Sequence, residues 1–194
     1  MILGIDEVGR GPWAGPMVVG ACILGDAIIN DLTDSKKLSS KKRTELAYEI
    51  KQKAVLIATG WVTSKEIDEL GLTDALKLAT QRAVKKIDEQ IKENKNIKPY
   101  NEIVIDGTIR LIDNPKVKTL PKADLLVPTV SAASIIAKVA RDSYMVKLGE
   151  KYPHYGFEKH MGYGTSFHSE ALKKYGTCLE HRQFFKPIQK INGR

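Results

Sequence analysis

The chain has little of what would narrow its class at a glance. Only two of its 194 residues are cysteines, Cys22 and Cys178, and they lie far apart. No disulfide framework is therefore implied, and a reducing compartment fits. No stretch approaches the roughly 18 consecutive apolar residues of a membrane span. The opening Met-Ile-Leu-Gly-Ile-Asp lacks the basic region, apolar run and cleavage site of a secretory signal. These absences lead to the expectation of a cytoplasmic protein with no membrane partner. There is no internal repeat and no low-complexity segment, which excludes a solenoid. A zinc site is also excluded. The four histidines (His154, His160, His168 and His181) include one Cys-x-x-His pair, Cys178 with His181, which is half a structural site. Ordering the C-terminal loop or bonding phosphate is the expected role of these rings.

What is present is a globular composition, 42% hydrophobic and 28% charged, in a chain long enough for one domain with a real core. Lys and Arg outnumber Asp and Glu by 31 to 23, a formal charge of +8. Such a surplus favours a polyanionic partner, because cationic side chains release counterions from a phosphate backbone. It becomes informative when carboxylates cluster inside a basic protein, as a metal-using nuclease requires.

Apolar runs at Ile2 to Ile5 and Met17 to Leu24 are continuous rather than alternating, which predicts strands buried on both faces. Ser39 or Ser40 is placed to cap a helix running to about Lys53, and Val55 to Val62 reads as a third strand. Thr63 and Glu66 form a capping box for a short helix stopped at Gly71. Leu76, Ala79, Ala83, Ile87 and Ile91 recur at helical spacing, predicting a long helix from Thr73 to about Glu93. Short strands are expected at Glu102 to Ile105 and around Val117 to Leu120, and a second long helix at Ser131 to about Glu150. Tyr152 to His168 reads as a loop, followed by one or two short helices. The order describes a single α/β domain over residues 1–194. Residues from about 150 to 194 form a loop-rich helical C-terminal extension of it.

The acids carry the chemistry. Asp6 and Glu7 close the first strand, and Asp106 closes another short apolar strand far along the chain. Acids at strand ends face the crevice at a sheet's carboxyl edge, where open α/β sheets bind ligands. If the two strands are neighbours, Asp6 and Asp106 approach closely and repel unless a cation lies between them. Hard divalent ions, Mg²⁺ or Mn²⁺, suit such oxygen ligands. Asp124 is a third candidate, in a loop before the long helix. For a lone loop acid, capping or solvation is the ordinary role.

These residues sit in strings that resemble the type 2 ribonucleases H (ribonuclease HII). The strings are GIDEVGRGPWAGP at Gly4 to Pro16, DSKKLS at Asp34 to Ser39, IDG at Ile105 to Gly107 and ASIIAKVARD at Ala133 to Asp142. YPHYG at Tyr152 to Gly156, GYGT at Gly162 to Thr165 and a closing His181-Arg182 complete the set. Seven blocks run in the family's order across almost the whole chain. The resemblance implies an RNase H-like fold, a five-stranded mixed sheet flanked by helices with a helical C-terminal part. It implies an acidic tetrad of Asp6, Glu7, Asp106 and Asp124 binding two divalent ions. The implied reaction cuts the RNA strand of RNA–DNA hybrids, and cuts 5′ of single ribonucleotides in duplex DNA, leaving 3′-hydroxyl and 5′-phosphate ends. It also implies that Gly9, Arg10 and Gly11, with Tyr163, read the junction between a ribonucleotide and the following deoxynucleotide. That fits their chemistry: glycines admit a sugar close to the backbone, whose polar groups can bond a 2′-hydroxyl.

Lys36 and Lys37, and basic residues near Lys138 and Arg141, are candidate phosphate contacts. Ser131, Ser134 and Thr165 either touch phosphates or cap and pack. Ala123, Ser131, Met161 and Phe184 depart from the family pattern, and a lysine missing at 161 would weaken backbone binding. A type 3 ribonuclease H fits less well because Arg10 is present and the first strand begins at residue 2. A type 1 enzyme shares the fold but not these strings. A non-catalytic nucleic-acid-binding protein would not need the intact acids. The expected partner is nucleic acid, and the expected state a monomer.

Overall fold

In the computed structural model, which describes residues 1–193, five strands form one mixed sheet in the order β3-β2-β1-β4-β5. Arg194, the last residue of the expected C-terminal extension, lies outside the described residues. The strands are β1 (Ile2–Val8), β2 (Met17–Ile23), β3 (Leu56–Val62), β4 (Glu102–Asp106) and β5 (Val117–Leu120). β1, β2 and β3 make an antiparallel meander, and β4 and β5 extend it in parallel. The helices are α1 (Ser40–Lys53), α2 (Ser64–Glu93), α3 (Ala123–Leu126), α4 (Pro128–Lys151), α5 (Phe157–His160), α6 (Ser166–Tyr175) and α7 (Lys186–Ile191).

The two sheet faces bury different residues of each strand, as the two-residue period of a strand dictates. Leu3, Ile5, Ile103 and Ile105 face α2, where they meet Leu76, Ala79, Ala83 and Ile87, the stripe read from the sequence. On the other face Cys22 and Leu24 pack with Leu46 and Ile50 of α1 and Ala132, Ala133 and Ile136 of α4. A third cluster, with Met145 and Leu148 from the far end of α4, joins Tyr155, Phe157, Leu172 and Ile188 to the body. The C-terminal part therefore grows out of α4.

Helix α4 lies directly on the sheet because both surfaces are small there. A Cβ on Gly20 would collide with the carbonyl of Ala133. The Thr129 hydroxyl donates to the Cys22 carbonyl of β2 at 2.9 Å.

Several element ends differ from expectation. β1 continues through Asp6 and Glu7 to Val8, because its pairing with β2 reaches Val8 opposite Val18 while its pairing with β4 stops at Ile5 opposite Ile105. α4 begins at Pro128, not Ser131, with proline in the first turn where its missing N–H has no helical partner to lose. Gly71 (φ 75°, ψ 165°) interrupts α2, so the short capped helix and the long one are separate pieces end to end. Two helices, α5 and the start of α6, occupy the region expected as loop.

Gly20→Ala is expected to lower stability by about 1–3 kcal/mol, since the new methyl would meet the Ala133 carbonyl, helix backbone that cannot swing aside. Urea unfolding followed by circular dichroism would measure it, and an unchanged midpoint would show that α4 can lift from the sheet.

Candidate active site

Ile5 is paired with Ile105, so the next residues of the two parallel strands, Asp6 and Asp106, lie side by side. Both point to the α4 face, the one shared by Gly4 and Val104. Asp106 is held there by the N–H of Ala123, which donates to its Oδ1 at 2.7 Å. That bond brings the next residue, Asp124, to the border of the pair. Asp124 sits in the one-turn helix α3 rather than in a loop. Ser131 donates to the Asp124 carbonyl at 2.7 Å, tying that turn to α4. Glu7, one residue on in β1, takes the opposite face, where its Oε1 lies 3.3 Å from Arg10 Nη1. Glu7, Arg10, Asp106 and Gly107 line an open crevice of 190 Å³.

The electrostatics agree with a crowded set of carboxylates. Burial pushes Asp6 up to about 7, opposed by the Ser134 hydroxyl and reinforced by the charges of Glu7 and Asp106. Burial also raises Glu7, with Arg10 opposing and Asp106 adding. Asp124 is raised by burial, then by Asp106 and Asp34. Divalent cations at this edge would relieve these carboxylates, and their all-oxygen donor set suits hard ions. Among the described residues no three His, Cys, Asp or Glu side chains form a closed metal cage. The faces explain this: Asp6 and Asp106 stand on one side of the strand ends, and Glu7 on the other.

The DSKK loop joins this edge. Ser134 donates to Ser35 at 3.0 Å, and the Asp34 side chain accepts from the Lys36 N–H at 2.9 Å. Lys36 is exposed, and its charge reaches both Glu7 and Asp124. Lys37 is exposed too, and nothing ties it to the acids.

The turn Gly9-Arg10-Gly11 starts at φ 97° on Gly9, a backbone state that a side chain resists. It is held from behind by Arg182, whose guanidinium donates to the carbonyls of Gly9 (2.6 Å), Arg10 (3.1 Å), Gly15 (2.8 Å) and Pro16 (3.2 Å). Arg141 donates to Pro16 (2.8 Å), Met161 (3.0 Å) and Ala14 (3.3 Å). Both side chains are fully buried. Burial lowers Arg141 to about 10 and Arg182 to about 9, the latter also repelled by Arg141. Arg141 is thus not a phosphate contact, and Lys138 is engaged with Asp142 at 2.8 Å. Ser131, Ser134 and Thr165 pack and cap; Thr165 accepts from His168 N at the start of α6.

Tyr163 comes to the same turn from the C-terminal part. Its ring lies 3.6 Å from where a Cβ on Gly11 would be. The Trp13 N–H donates to the Gly162 carbonyl at 2.8 Å, and its indole packs on Gly164. Met161, where a lysine was expected, offers its carbonyl to Arg141 and packs its side chain into the C-terminal core. Behind Tyr163, His168 and His181 are buried with their Nε2 atoms 3.0 Å apart. Sequence reasoning missed Arg182, Trp13 and His168 as parts of this arrangement; their only signal was lying inside, or just after, motif blocks. A larger groove of 980 Å³, lined by Trp61, Asp68, Tyr144 and Leu179, touches none of the four acids. Size does not mark the acidic edge here.

The model of one protein family, described as Ribonuclease HII, matches residues 3–189. A protein named Ribonuclease HII from a Geobacillus species is 46% identical over 191 residues, 98% of this chain. The chain spans 65% of that relative's length. One of the same name from Psychromonas ingrahamii is 45% identical over 195 residues, covering 100% of this chain and 91% of the relative. Among solved structures, the ribonuclease H2 from Pyrococcus horikoshii superposes with a TM-score of 0.73 at 28% identity, covering 100% of this chain and 97% of that one.

Burial lowers His168 and His181 to about 4, from a usual value near 6.5. Between those values the unfolded chain takes up protons that the folded chain cannot hold. Stability is therefore expected to be full above pH 6.5 and to fall as pH drops towards 4, on the order of 3 kcal/mol for the first ring protonated, the two rings being coupled rather than additive. Urea midpoints at pH 7.5 and 4.5 would measure this. His181→Gln should flatten the dependence, while a change at exposed His154 should not.

Proposed function

The chain belongs to the ribonuclease HII family, and on that premise we propose that it hydrolyses the RNA strand of RNA–DNA hybrids and cuts 5′ of single ribonucleotides embedded in duplex DNA. Its products carry 3′-hydroxyl and 5′-phosphate ends. The observation that carries this reading is the strand register that sets Asp6 beside Asp106, with Glu7 and Asp124 at the border.

Asp6, Glu7, Asp106 and Asp124 are the residues that would hold two Mg²⁺ or Mn²⁺ ions. When bound, such ions supply the Lewis acidity that activates water and stabilises the leaving oxygen in an in-line attack on phosphate. The chain's own residues do the rest. The Ala123 N–H aims Asp106, and the Ser131 hydroxyl steadies the backbone of Asp124. Lys36, exposed at the rim, is placed to meet a backbone phosphate. Lys37 is proposed as a weaker contact of the same kind, on its exposure alone.

Substrate selection is assigned to the turn and the tyrosine. The carbonyls of Gly9 and Arg10 are engaged by Arg182, so a 2′-hydroxyl would be read chiefly by the N–H groups of the turn. Gly11 leaves room for a sugar against the Tyr163 ring. Tyr163 would stack on the following sugar, where an additional hydroxyl would be crowded. The monomer is the working state, with nucleic acid as partner.

A DNA duplex with one ribonucleotide and a long RNA–DNA hybrid should both be cleaved with Mg²⁺ or Mn²⁺ and not with EDTA. Asp106→Asn is expected to lose about a thousandfold or more in rate. Tight binding without cleavage under either ion would replace the nuclease by a non-catalytic duplex-binding protein. Lys36→Ala is expected to weaken binding alike for every sequence and to reduce the salt slope by about one. A sequence-dependent loss in a filter-binding titration would remove Lys36 from the phosphate path.

A further inference from the structure

The buried pair His168 and His181 has no part in the reaction as described, yet its hydrogen bonds form a chain with only one direction. His168 Nδ1 lies 2.9 Å from the Tyr163 carbonyl. A carbonyl only accepts, so Nδ1 carries the hydrogen. His168 Nε2 then presents a lone pair to His181 Nε2 at 3.0 Å, and that nitrogen must carry the next hydrogen. His181 Nδ1 is left as an acceptor, and the N–H of Cys178 donates to it at 2.9 Å; the Cys178 carbonyl, at 3.3 Å, is the longer contact, and an Nδ1–H turned to it would also face that N–H. The chain begins on a backbone donor and ends on a backbone carbonyl, so neither ring can adopt the other tautomer without facing donor to donor or acceptor to acceptor. Both rings are shut away from solvent, with His160 stacked on His168, Tyr155 and Phe157 meeting the pair edge-on and Trp13 tilted against it.

What this chain holds is the backbone of Tyr163. The ring of Tyr163 is 42% exposed, so its place over Gly11 depends on how its own peptide units are anchored. Its N–H donates to His160 at 2.9 Å, and its carbonyl receives Thr165 N and His168 Nδ1. The other end of the chain is next to Arg182, the clamp of the Gly9 and Arg10 carbonyls. The run of hydrogen bonds thus reaches Tyr163 at one end, and at the other His181 is joined to the turn only through its chain neighbour Arg182; none of its groups contacts Asp6, Asp106 or Asp124.

We propose that His168 and His181, in opposite tautomers, are positioning residues for ribonucleotide-junction selection: they set Tyr163 against the Gly9-Arg10-Gly11 turn and leave hydrolysis itself to the acids. This rests on the assignment of Tyr163 to junction reading made above. Breaking the chain then lowers the preference for a single embedded ribonucleotide while hybrid cleavage persists.

The test compares kcat/KM for a duplex with one ribonucleotide and for a continuous hybrid, using His168→Leu, His168→Asn and Tyr163→Ala. His168→Leu should lower the ratio of the two about tenfold, the worth of one well-placed hydrogen bond. His168→Asn, whose amide can still donate to the Tyr163 carbonyl, should restore most of it. Equal losses on both substrates in His168→Leu would reduce the pair to a fold-stabilising role and overturn the inference. A lowered ratio in Tyr163→Ala beside an unchanged one in His168→Leu would overturn the inference alone. An unchanged ratio in Tyr163→Ala would sink the assignment of Tyr163, and the inference with it. Nitrogen-15 NMR of the wild-type imidazoles needs no variant to fold: Nδ1–H on His168 and Nε2–H on His181 are expected. The same tautomer on both rings would overturn the proposal.

Discussion

Two positive charges buried without a carboxylate partner organise this molecule. Arg141 and Arg182 form no ion pair among the described residues. Their donors are met by main-chain carbonyls of the loop between β1 and β2, and by Met161. A guanidinium presents five N–H groups in a rigid fork, so it can hold several carbonyls in one relative arrangement where a lysine could not. The loop in question forms no strand or helix. Trp13 and Ala14 pack it into the C-terminal core, and several of its carbonyls are held by these two side chains, one from α4 and one from the C-terminal segment. Removing either would leave several buried carbonyls unmet, each with a real desolvation cost.

The acidic edge depends on a different constraint, the sheet register. Parallel pairing of β1 with β4 ends one residue before the two aspartates, and the antiparallel pairing of β1 with β2 carries on beyond them. Asp6 is therefore fixed by backbone on one side and open on the other. The strand's alternation then sends Glu7 to the opposite face. The cluster is high in electrostatic energy as it stands, as the raised Asp6, Glu7 and Asp124 report. A protein of charge +8 can tolerate such a concentration of negative charge.

Much of this was legible in the sequence. Apolar runs marked β1 to β4, β5 showed only as a weaker extended segment, and the capping box and Gly71 marked the break in α2, because these signals are local. The ends of β1 and α4 were harder to read. Polar Asp6 and Glu7 look like the end of a strand, and Ser131 looks like a cap, until the partner strand and Pro128 are seen to decide the matter. The acids could be picked out as strand-end residues, but their faces could not. Arg141 looked like a surface contact because most arginines are one, and only the tertiary structure shows it enclosed. Arg182, Trp13 and His168 act on residues far from them in the chain, and a pattern confined to short windows carries no trace of that.

The contacts from Arg182 to Gly9 and Arg10 span 173 and 172 residues of sequence. All four acids and the whole sheet precede residue 125, and Ser131 and Ser134 follow closely in α4, so the acidic edge can assemble while the chain is still being made. The turn beside it cannot be locked until residue 182 has left the ribosome. Order of synthesis thus becomes order of competence: the part that would cut is complete before the part that would choose, and a chain ending ahead of Arg182 would lack the clamp of the Gly9-Arg10-Gly11 turn.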